Sequence, residues 1–382
     1  MTYKSKFGFG CMRLPQTNPE DPTAIDQELF NEMVDIYMEK GFNYFDTSYA
    51  YHNGTSEIAI RKAVVERYPR ESFQICDKMP TWALTCEEDN DKFVNEMLER
   101  LGIDYFDVFF IHNINSPWLK LAEEHNTIEY VKKMKEDGIA EKIGFSFHEK
   151  AALLEEFLKK YDDVFDIAQL ELNYLDWEDP SIESKKCYEL CVEHGLDVYV
   201  MEPLKGGVIV NQTEEVKNDF KEFNPDKSIA SFAIRFCASL EHVKMVLSGM
   251  SKMEDLIDNC DTYENFEPLS EDEREFLLNE GEKFKKNLAV PCSECGYCLK
   301  ACPLEIPIPE YFNIYNMQKI QPESNIYRLY YDKLADEKVP AKDCTKCETC
   351  IDYCTQQINI PDELENLCEF FKEGFSPYAG DP

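Results

Sequence analysis

Eight cysteines near the end of the chain form two runs with the same internal spacing. In each run two residues separate the first three cysteines, and three residues precede the fourth. The runs are Cys292, Cys295, Cys298 and Cys302, then Cys344, Cys347, Cys350 and Cys354. Three thiolates at this spacing can wrap one corner of an iron-sulfur cubane from a single loop, whereas the fourth ligand must come from elsewhere. The repeated spacing therefore predicts two 4Fe-4S clusters.

The fourth cysteine of each run is expected to bind the cluster of the other run, as it does where two such runs share a domain. One cluster is thus assigned to Cys292, Cys295, Cys298 and Cys354, and the other to Cys344, Cys347, Cys350 and Cys302. Pro303 follows the first run, but Thr355 follows the second. This departure affects the local turn and removes no ligand.

Zinc sites and disulfides are the alternatives for these thiols. A zinc site takes four ligands in pairs, so a third cysteine at the same step has no role in it. Disulfides form in oxidising compartments, yet residues 1–15 contain no apolar segment of the length found in a signal peptide. The 16 cysteines of the chain therefore favour a reducing, cytoplasmic environment.

Composition limits the partners of the chain. Its 382 residues include 75 acidic and 40 basic residues, which gives a formal charge of −35 spread along the whole length. Such a surface repels phosphate backbones, so nucleic acid is not expected as a partner. No apolar stretch approaches the roughly 20 residues that span a bilayer, so no membrane span is expected.

Residues 1–262 alternate short apolar strands with amphipathic helical patterns, which is typical of a parallel βα fold. Eight such units match a closed (β/α)8 TIM barrel in count and length. The alternative is a doubly wound open sheet, which would place a glycine-rich phosphate loop after its first strand. Gly8 and Gly10 are followed neither by the third glycine of that loop nor by the helix that should come after it. The predicted strands are 7–12, 44–47, 73–78, 108–112, 143–147, 167–172, 198–202 and 245–249.

The remainder of the chain is predicted to form two parts. Residues 263–290 are acidic and helical, with Ser270 and Glu273 spaced as a capping box, and we expect a helical connector. Residues 291–382 contain both cysteine runs and resemble the two-cluster ferredoxins. A small α+β ferredoxin-like iron-sulfur domain, with a helical insert between the runs, is therefore expected to follow the barrel.

Polar residues close several of the apolar strands in the predicted barrel. Asp46, Lys78 and His112 stand at three strand ends, and Tyr51 lies just beyond the first of them. Each alone has a structural interpretation, since an Asp can cap a helix and a His can be a hydrogen-bonded core residue. Together, at successive strand ends where such barrels carry their chemistry, they predict a catalytic site.

Their chemistry suits reduction of a carbonyl. Hydride addition to a carbonyl carbon produces an alkoxide, so a proton donor must stand at the oxygen. A phenol, with a pKa near 10, donates poorly at neutral pH unless a cation beside it favours its ionised form. Lys78 would supply that cation to Tyr51, Asp46 would hold Lys78 protonated, and His112 would hydrogen-bond the carbonyl oxygen.

Three segments resemble the catalytic motifs of the aldo-keto reductase family. They are residues 45–51 (FDTSYAY), 75–78 (ICDK) and 109–113 (FFIHN), and residues 8–15 are similar to the first strand of that family. The likeness covers about residues 1–260. With the cysteine runs it points to the branch that fuses a reductase barrel to a ferredoxin-type domain, and it implies that Asp46, Tyr51, Lys78 and His112 form the catalytic tetrad.

The resemblance also implies a nicotinamide site. Ser146 and Gln169 match positions that hold the carboxamide, while Phe147 and Met201 depart from the residues expected beside it. The adenine end is implied for Gly249, Ser251, Lys252 and Asn259. Asp255 occupies a place often held by arginine in NADP-preferring members, so NADP and NAD both remain open. Ser251 to Asn259 can also be interpreted as no more than the start of a helix.

Two functional hypotheses follow. The first is a cytoplasmic oxidoreductase that interconverts a small carbonyl and an alcohol with NADP or NAD, its clusters exchanging electrons with a redox partner protein. Nicotinamide moves a hydride and a cluster moves one electron, a mismatch that a flavin normally bridges, but no sequence feature indicates a flavin. The second hypothesis is an iron-sulfur electron-transfer protein whose barrel is a docking scaffold or binds a flavin.

Overall fold

The computed structural model describes residues 6–19, 21–320 and 326–372. Eight parallel strands close into a barrel in which each strand pairs with the next in sequence and the last pairs with the first. This confirms the predicted (β/α)8 barrel and excludes the open sheet. The strands are β1 Phe7–Gly10, β2 Tyr44–Asp46, β3 Gln74–Met79, β4 Phe106–Ile114, β5 Ala140–Phe147, β6 Ile167–Glu171, β7 Asp197–Met201 and β8 Val243–Gly249.

Side chains from most of these strands fill the barrel interior. They form one buried cluster made of Tyr44, Cys76, Val108, Phe110, Ile167, Tyr199, Met245 and Leu247. Glycine makes room for them at Gly144, where a Cβ would stand 2.3 Å from the carbonyl oxygen of Ile167 and 2.5 Å from the ring of Phe110. The interior is thus a packed core, and the chemistry must lie at one end of it.

Helices follow most of the strands and bury their apolar faces. The capping of α1 shows how one begins, because the side chain of Asp26 accepts a hydrogen bond from the backbone of Leu29. In order, the helices are α1 Gln27–Glu39, α2 Ser56–Ile60, α3 Asp89–Leu101, α4 Ser116–Glu124, α5 Thr127–Glu136, α6 Ala151–Lys160, α7 Ser184–Glu193, α8 Glu214–Phe223, α9 Ile229–Ala238 and α10 Met253–Glu264. They continue as α11 Glu271–Asn287, α12 Tyr297–Ala301, α13 Ile308–Ile320, α14 Ile326–Glu337 and α15 Ile360–Lys372.

The chain divides into two compact units. One comprises Met1–Pro203 and Ala230–Ser270 and contains the barrel; the other comprises Leu204–Ile229 and Glu271–Pro382. The sequence predicts a barrel domain of residues 1–262 and a connector of 263–290, whereas Leu204–Ile229 and α11 group with the iron-sulfur part. Aromatic contacts link α11 to α8 within this second unit. The ring centre of Phe276 lies 4.1 Å from that of Phe223, on which it stacks, and 5.0 Å from that of Phe220.

The second unit has its own apolar core. Buried residues of α13 and α15 meet there, among them Tyr311, Phe312 and Leu367. The predicted helical insert between the cysteine runs is present as α13 and α14. In one respect the iron-sulfur part differs from the α+β expectation, since the described residues 291–320 and 326–372 form helices and turns without a strand. In the part of the chain that the structure describes, no helix is long and apolar enough to cross a membrane.

Candidate active site and cluster-binding cysteines

The four tetrad residues meet at the carboxyl ends of neighbouring strands. Asp46 is the last residue of β2, Lys78 lies one residue before the end of β3, and His112 lies two before the end of β4. Tyr51 begins a short 3-10 turn five residues after Asp46. Asp46 pairs with Cys76 and Lys78 with Phe110. Cys76 and Phe110 belong to the interior cluster. Asp46 and Lys78 therefore also point into the barrel, at the end where the strands have their carboxyl ends.

Lys78 and Asp46 form a buried ion pair. The Lys78 side chain is 1 % exposed, and its Nζ donates to Asp46 Oδ1 at 2.6 Å and to the carbonyl oxygen of Thr47 at 2.6 Å. Burial alone would lower the pKa of Lys78, but the Asp46 carboxylate raises it above its ordinary value. Gln169 donates to the other oxygen of Asp46 at 3.3 Å. The amine is therefore held as an ammonium with one proton left for a further acceptor.

Tyr51 and His112 stand beside this ammonium. Lys78 Nζ lies 5.1 Å from the centre of the Tyr51 ring, and the rings of Tyr51 and His112 are 6.1 Å apart and nearly perpendicular. Burial, then the positive charge of Lys78, then His148 lower the pKa of His112 well below its ordinary value. His112 is therefore a neutral imidazole, which can donate one hydrogen bond without adding a second positive charge.

Ser48 is a contact of the tetrad to which sequence reasoning gave no role. Its Oγ lies 3.0 Å from His112 Nδ1, and it is fully buried. Its carbonyl oxygen accepts from the backbone of Tyr51 at 3.0 Å, so one turn positions both side chains. Ser48 lies inside the motif at residues 45–51, but its partner is 64 residues away. No local pattern could have shown this contact.

A pair of buried carboxyl groups lies behind the tetrad and was also missed. Glu57 and Asp77 are both fully buried, and Glu57 accepts from Arg100 at 2.8 Å while Asp77 accepts from the backbone of Lys78 at 2.8 Å. One oxygen of each, Glu57 Oε1 and Asp77 Oδ2, has no donor among the described residues. Burial first, and the neighbouring Asp77, raise the pKa of Glu57; burial also raises that of Asp77. The pair is therefore expected to share a proton.

Ser146 and Gln169 are brought together at the strand ends. They are paired directly across β5 and β6, so their side chains emerge on the same face. Ser146 Oγ accepts from the backbone of Asn113 at 2.7 Å and keeps its own proton to donate. Gln169 donates to Asp46 and keeps its carbonyl oxygen to accept. A donor beside an acceptor suits a primary carboxamide, so both residues fit the nicotinamide end of a dinucleotide.

The residues predicted for the adenine end lie after β8. Gly249 is the last residue of that strand, Lys252 precedes α10, and Asn259 is on α10. Asn259 is buried and donates to Ser248 at 3.0 Å, whereas Ser251 donates to the carbonyl oxygen of Arg13 at 3.1 Å. Lys252 makes no side-chain cap at the start of α10. The structure thus keeps Asn259 within the fold and leaves the role of this segment a prediction.

The surroundings of the cluster cysteines bear on the crossed assignment, which stays a prediction. Burial raises the pKa of Cys292 to about 12, and the thiols of Cys295 and Cys354 contribute to that shift. Burial raises the pKa of Cys350 to about 11, with contributions from Cys344, Cys302 and Cys347. Thr355, the residue after Cys354, lies with its Oγ1 3.7 Å from Cys295 Sγ, a contact that agrees with the predicted place of Cys354 beside the first run.

The donor set suits iron-sulfur clusters. Within the described ranges no three His, Cys, Asp or Glu side chains converge closely enough to hold one metal ion, but in a cubane each thiolate binds a different iron. Backbone N–H groups approach two of the sulfurs, Glu294 to Cys292 Sγ and Ile358 to Cys354 Sγ, both at 3.4 Å. Hydrogen bonds to ligand sulfurs of this kind tune a cluster.

Comparisons with known proteins agree with this architecture. A model of the aldo/keto reductase family matches residues 6–276, and a 4Fe-4S dicluster domain matches residues 291–358. An aldo-keto reductase of Mycolicibacterium vanbaalenii is 28 % identical over 255 residues, which are 65 % of this chain and 82 % of that protein. Glyoxal reductase of Bacillus subtilis is 26 % identical over 283 residues, 74 % of this chain and 91 % of that protein.

A solved structure shows the same barrel. An aldo-keto reductase from Klebsiella pneumoniae in complex with NADPH superposes with a TM-score of 0.56 at 16 % identity, over 71 % of this chain and 89 % of that one. The family model covers well over half of the present chain. The protein belongs to the aldo/keto reductase family and carries a C-terminal 4Fe-4S dicluster domain.

Proposed function

We propose that the barrel interconverts a small carbonyl compound and the corresponding alcohol with NADP or NAD. The observation that carries this proposal is the buried Lys78–Asp46 ion pair beside Tyr51, with the ring of a neutral His112 6.1 Å from the Tyr51 ring. The family supports an oxidoreductase. A glyoxal reductase among the relatives supports a small carbonyl as substrate.

The tetrad residues divide the chemistry between them. Nicotinamide supplies or accepts the hydride when it is bound. Tyr51 gives a proton to the carbonyl oxygen, which becomes the hydroxyl of the alcohol. The ammonium of Lys78 stabilises the tyrosinate that remains, because an adjacent cation favours the ionised phenol. His112 donates a hydrogen bond to the same oxygen and fixes its approach.

Hydrogen bonds behind the reacting groups keep them in the required protonation state and position. Asp46 keeps Lys78 protonated, and Gln169 holds the second oxygen of Asp46 at 3.3 Å. Gln169 and Ser146 are proposed to hold the carboxamide of the nicotinamide, which would place its ring next to the tetrad. NADP and NAD are both proposed as possible cofactors. Lys252 would attract the 2′-phosphate of NADP, whereas Asp255 would repel it.

The dicluster domain is proposed to hold two 4Fe-4S clusters with the crossed ligand sets. When bound, each cluster would accept or give one electron, while the cysteine thiolates would hold its irons, which suits exchange with a redox partner protein. Docking of an acidic carrier would depend on a local basic patch, because the chain carries a formal charge of −35. The proposed place of action is the cytoplasm, where reduced thiols persist.

The test is carbonyl reduction by protein made and assayed without oxygen, with two matched tyrosine variants. Tyr51→Phe removes the proton donor and is expected to lower kcat by about 100-fold or more, with nucleotide affinity and the cluster spectrum unchanged. Tyr49→Phe is the control, because Tyr49 lies in the same turn but donates to Glu96 at 2.7 Å. It is expected to retain activity.

Two results would contradict the proposal. One is equal turnover in Tyr51→Phe and the unaltered protein, which would remove the tetrad from the mechanism. The other is bleaching of the clusters by NADH or NADPH without turnover of any aldehyde. That result would favour the electron-transfer hypothesis with the barrel as a scaffold.

A further inference from the structure

The residue after the second cysteine run differs from its counterpart after the first. Pro303 follows Cys302, but Thr355 follows Cys354. In the structure Thr355 is only 5 % exposed, and its Oγ1 lies 3.7 Å from Cys295 Sγ. Proline has no hydroxyl and could not make this contact. The departure therefore places a hydrogen-bonding group inside the iron-sulfur domain.

Two cysteines that neighbour Thr355 are assigned to the same predicted cluster. Cys354 precedes it in the chain. Cys295 is the residue that Thr355 contacts, across 60 residues of sequence. The predicted cluster of Cys292, Cys295, Cys298 and Cys354 includes both of these residues, so Thr355 is expected to lie beside that cluster although it follows the second run.

The direction of the hydrogen bond follows from the chemistry of a bound cluster. A cysteine that binds iron is a thiolate and has no proton to give, so the hydroxyl of Thr355 must be the donor. Reduction adds one electron to the cluster, and part of the added negative charge rests on the sulfur atoms. A donor at such a sulfur stabilises the reduced form more than the oxidised form, which raises the reduction potential.

We propose that Thr355 tunes the cluster held by Cys292, Cys295, Cys298 and Cys354, raising its reduction potential through a hydrogen bond to Cys295 Sγ. The proposal depends on the dicluster domain and not on the reaction in the barrel. The expected effect is a change in the difference between the reduction potentials of the two clusters, caused by one side chain.

A second threonine provides an internal comparison. Thr349 Oγ1 donates to Cys347 Sγ at 3.5 Å, but both residues are exposed. Water can replace an exposed hydroxyl at an exposed sulfur, whereas little water can reach the buried site of Thr355. Loss of the Thr355 hydroxyl is therefore expected to shift its cluster more than loss of the Thr349 hydroxyl shifts the other.

The test is an anaerobic redox titration of the full chain, followed by electron paramagnetic resonance of the reduced clusters. Thr355→Val keeps the shape of the side chain and removes the hydroxyl. It is expected to make one cluster at least threefold harder to reduce, which is about 28 mV for a one-electron couple. Thr355→Ser keeps the hydroxyl and is expected to stay close to the unaltered protein. Thr349→Val is expected to shift the other cluster, and by less.

Iron and sulfide content must be equal in all variants, so that a shift is not mistaken for cluster loss. If Thr355→Val assembles poorly, Thr355→Ala removes the same hydroxyl with less bulk and carries the same expectation. Unchanged midpoints in a fully loaded Thr355→Val or Thr355→Ala variant would overturn the proposal. So would a shift of equal size in both clusters, since the effect would then not be local to Cys295.

Discussion

Replacing Lys78 with methionine separates the structural from the catalytic role of the buried ion pair. Lys78→Met leaves Asp46, which is 3 % exposed, as a carboxylate without its ammonium partner. Breaking a buried pair by removing one member costs about 3–5 kcal/mol, because an uncompensated charge stays in a medium of low dielectric. The double variant Lys78→Met, Asp46→Asn removes both charges and is expected to recover most of that loss.

The pH dependence of this pair has a definite sign. Asp46 raises the pKa of Lys78 in the folded protein. The contribution of the ion pair to stability is therefore fully present below the pKa of an unfolded lysine, near 10.4. It is lost as the pH rises through the pKa of Lys78 in the folded protein. Between pH 6 and 9 the unaltered protein is therefore expected to keep the ammonium of Lys78 throughout.

Urea denaturation, monitored by the tryptophan fluorescence of the barrel, measures the free energy of unfolding of each variant. Carbonyl reduction is measured on the same samples. We expect the double variant to regain stability and to remain inactive, because Tyr51 still lacks its cation. A double variant as unstable as Lys78→Met would refute the argument from uncompensated charge. A double variant with normal activity would refute the role given to Lys78 in catalysis.

Three further outcomes are expected. Since burial raises the pKa values of Glu57 and Asp77, the folded chain keeps a proton that the unfolded chain loses above about pH 4, and stability falls with rising pH by up to about 1.4 kcal/mol per unit. Glu57→Gln should flatten that slope in denaturation series and remove a protonated-carboxyl band from the infrared spectrum; an unchanged slope and band would contradict the shared proton. Ser48→Ala should lower kcat more than KM and change the tautomer of one histidine in 15N spectra, whereas Ser48→Thr should restore both; an unaltered tautomer would make Ser48 dispensable. Cys354→Ser should damage the cluster of Cys292 and its run, and damage confined to the other cluster would refute the crossed assignment.

The barrel could be predicted from sequence because its signal is local and repeated. Each predicted strand overlaps an observed one, for example residues 143–147 within β5 Ala140–Phe147. Strand ends were less exact, since pairing with a neighbour extends β4 at both ends, to Phe106 and Ile114. The positions of Asp46, Lys78 and His112 followed from the same pattern, because a polar residue at the end of an apolar strand is visible in the sequence.

The contacts that complete the site could not be predicted, because they join distant parts of the chain. The Ser48–His112 hydrogen bond, the pairing of Ser146 with Gln169 and the burial of Glu57 beside Asp77 all depend on strand register and packing. The same holds for the second unit. The helical pattern of 214–223 resembles that of a barrel helix, and only the stacking of Phe223 on Phe276 shows where it belongs.

The most direct test of the proposed reaction is transfer of an isotopic label. The protein is incubated without oxygen with NADPH or NADH deuterated at the carbon that gives the hydride, together with glyoxal or another small aldehyde. Direct hydride transfer beside Tyr51 predicts one deuterium on the carbinol carbon of the alcohol product, seen by mass spectrometry and NMR, with no loss to solvent. An alcohol that carries hydrogen from water at that carbon, or oxidation of the nucleotide with cluster reduction and no alcohol, would contradict the account.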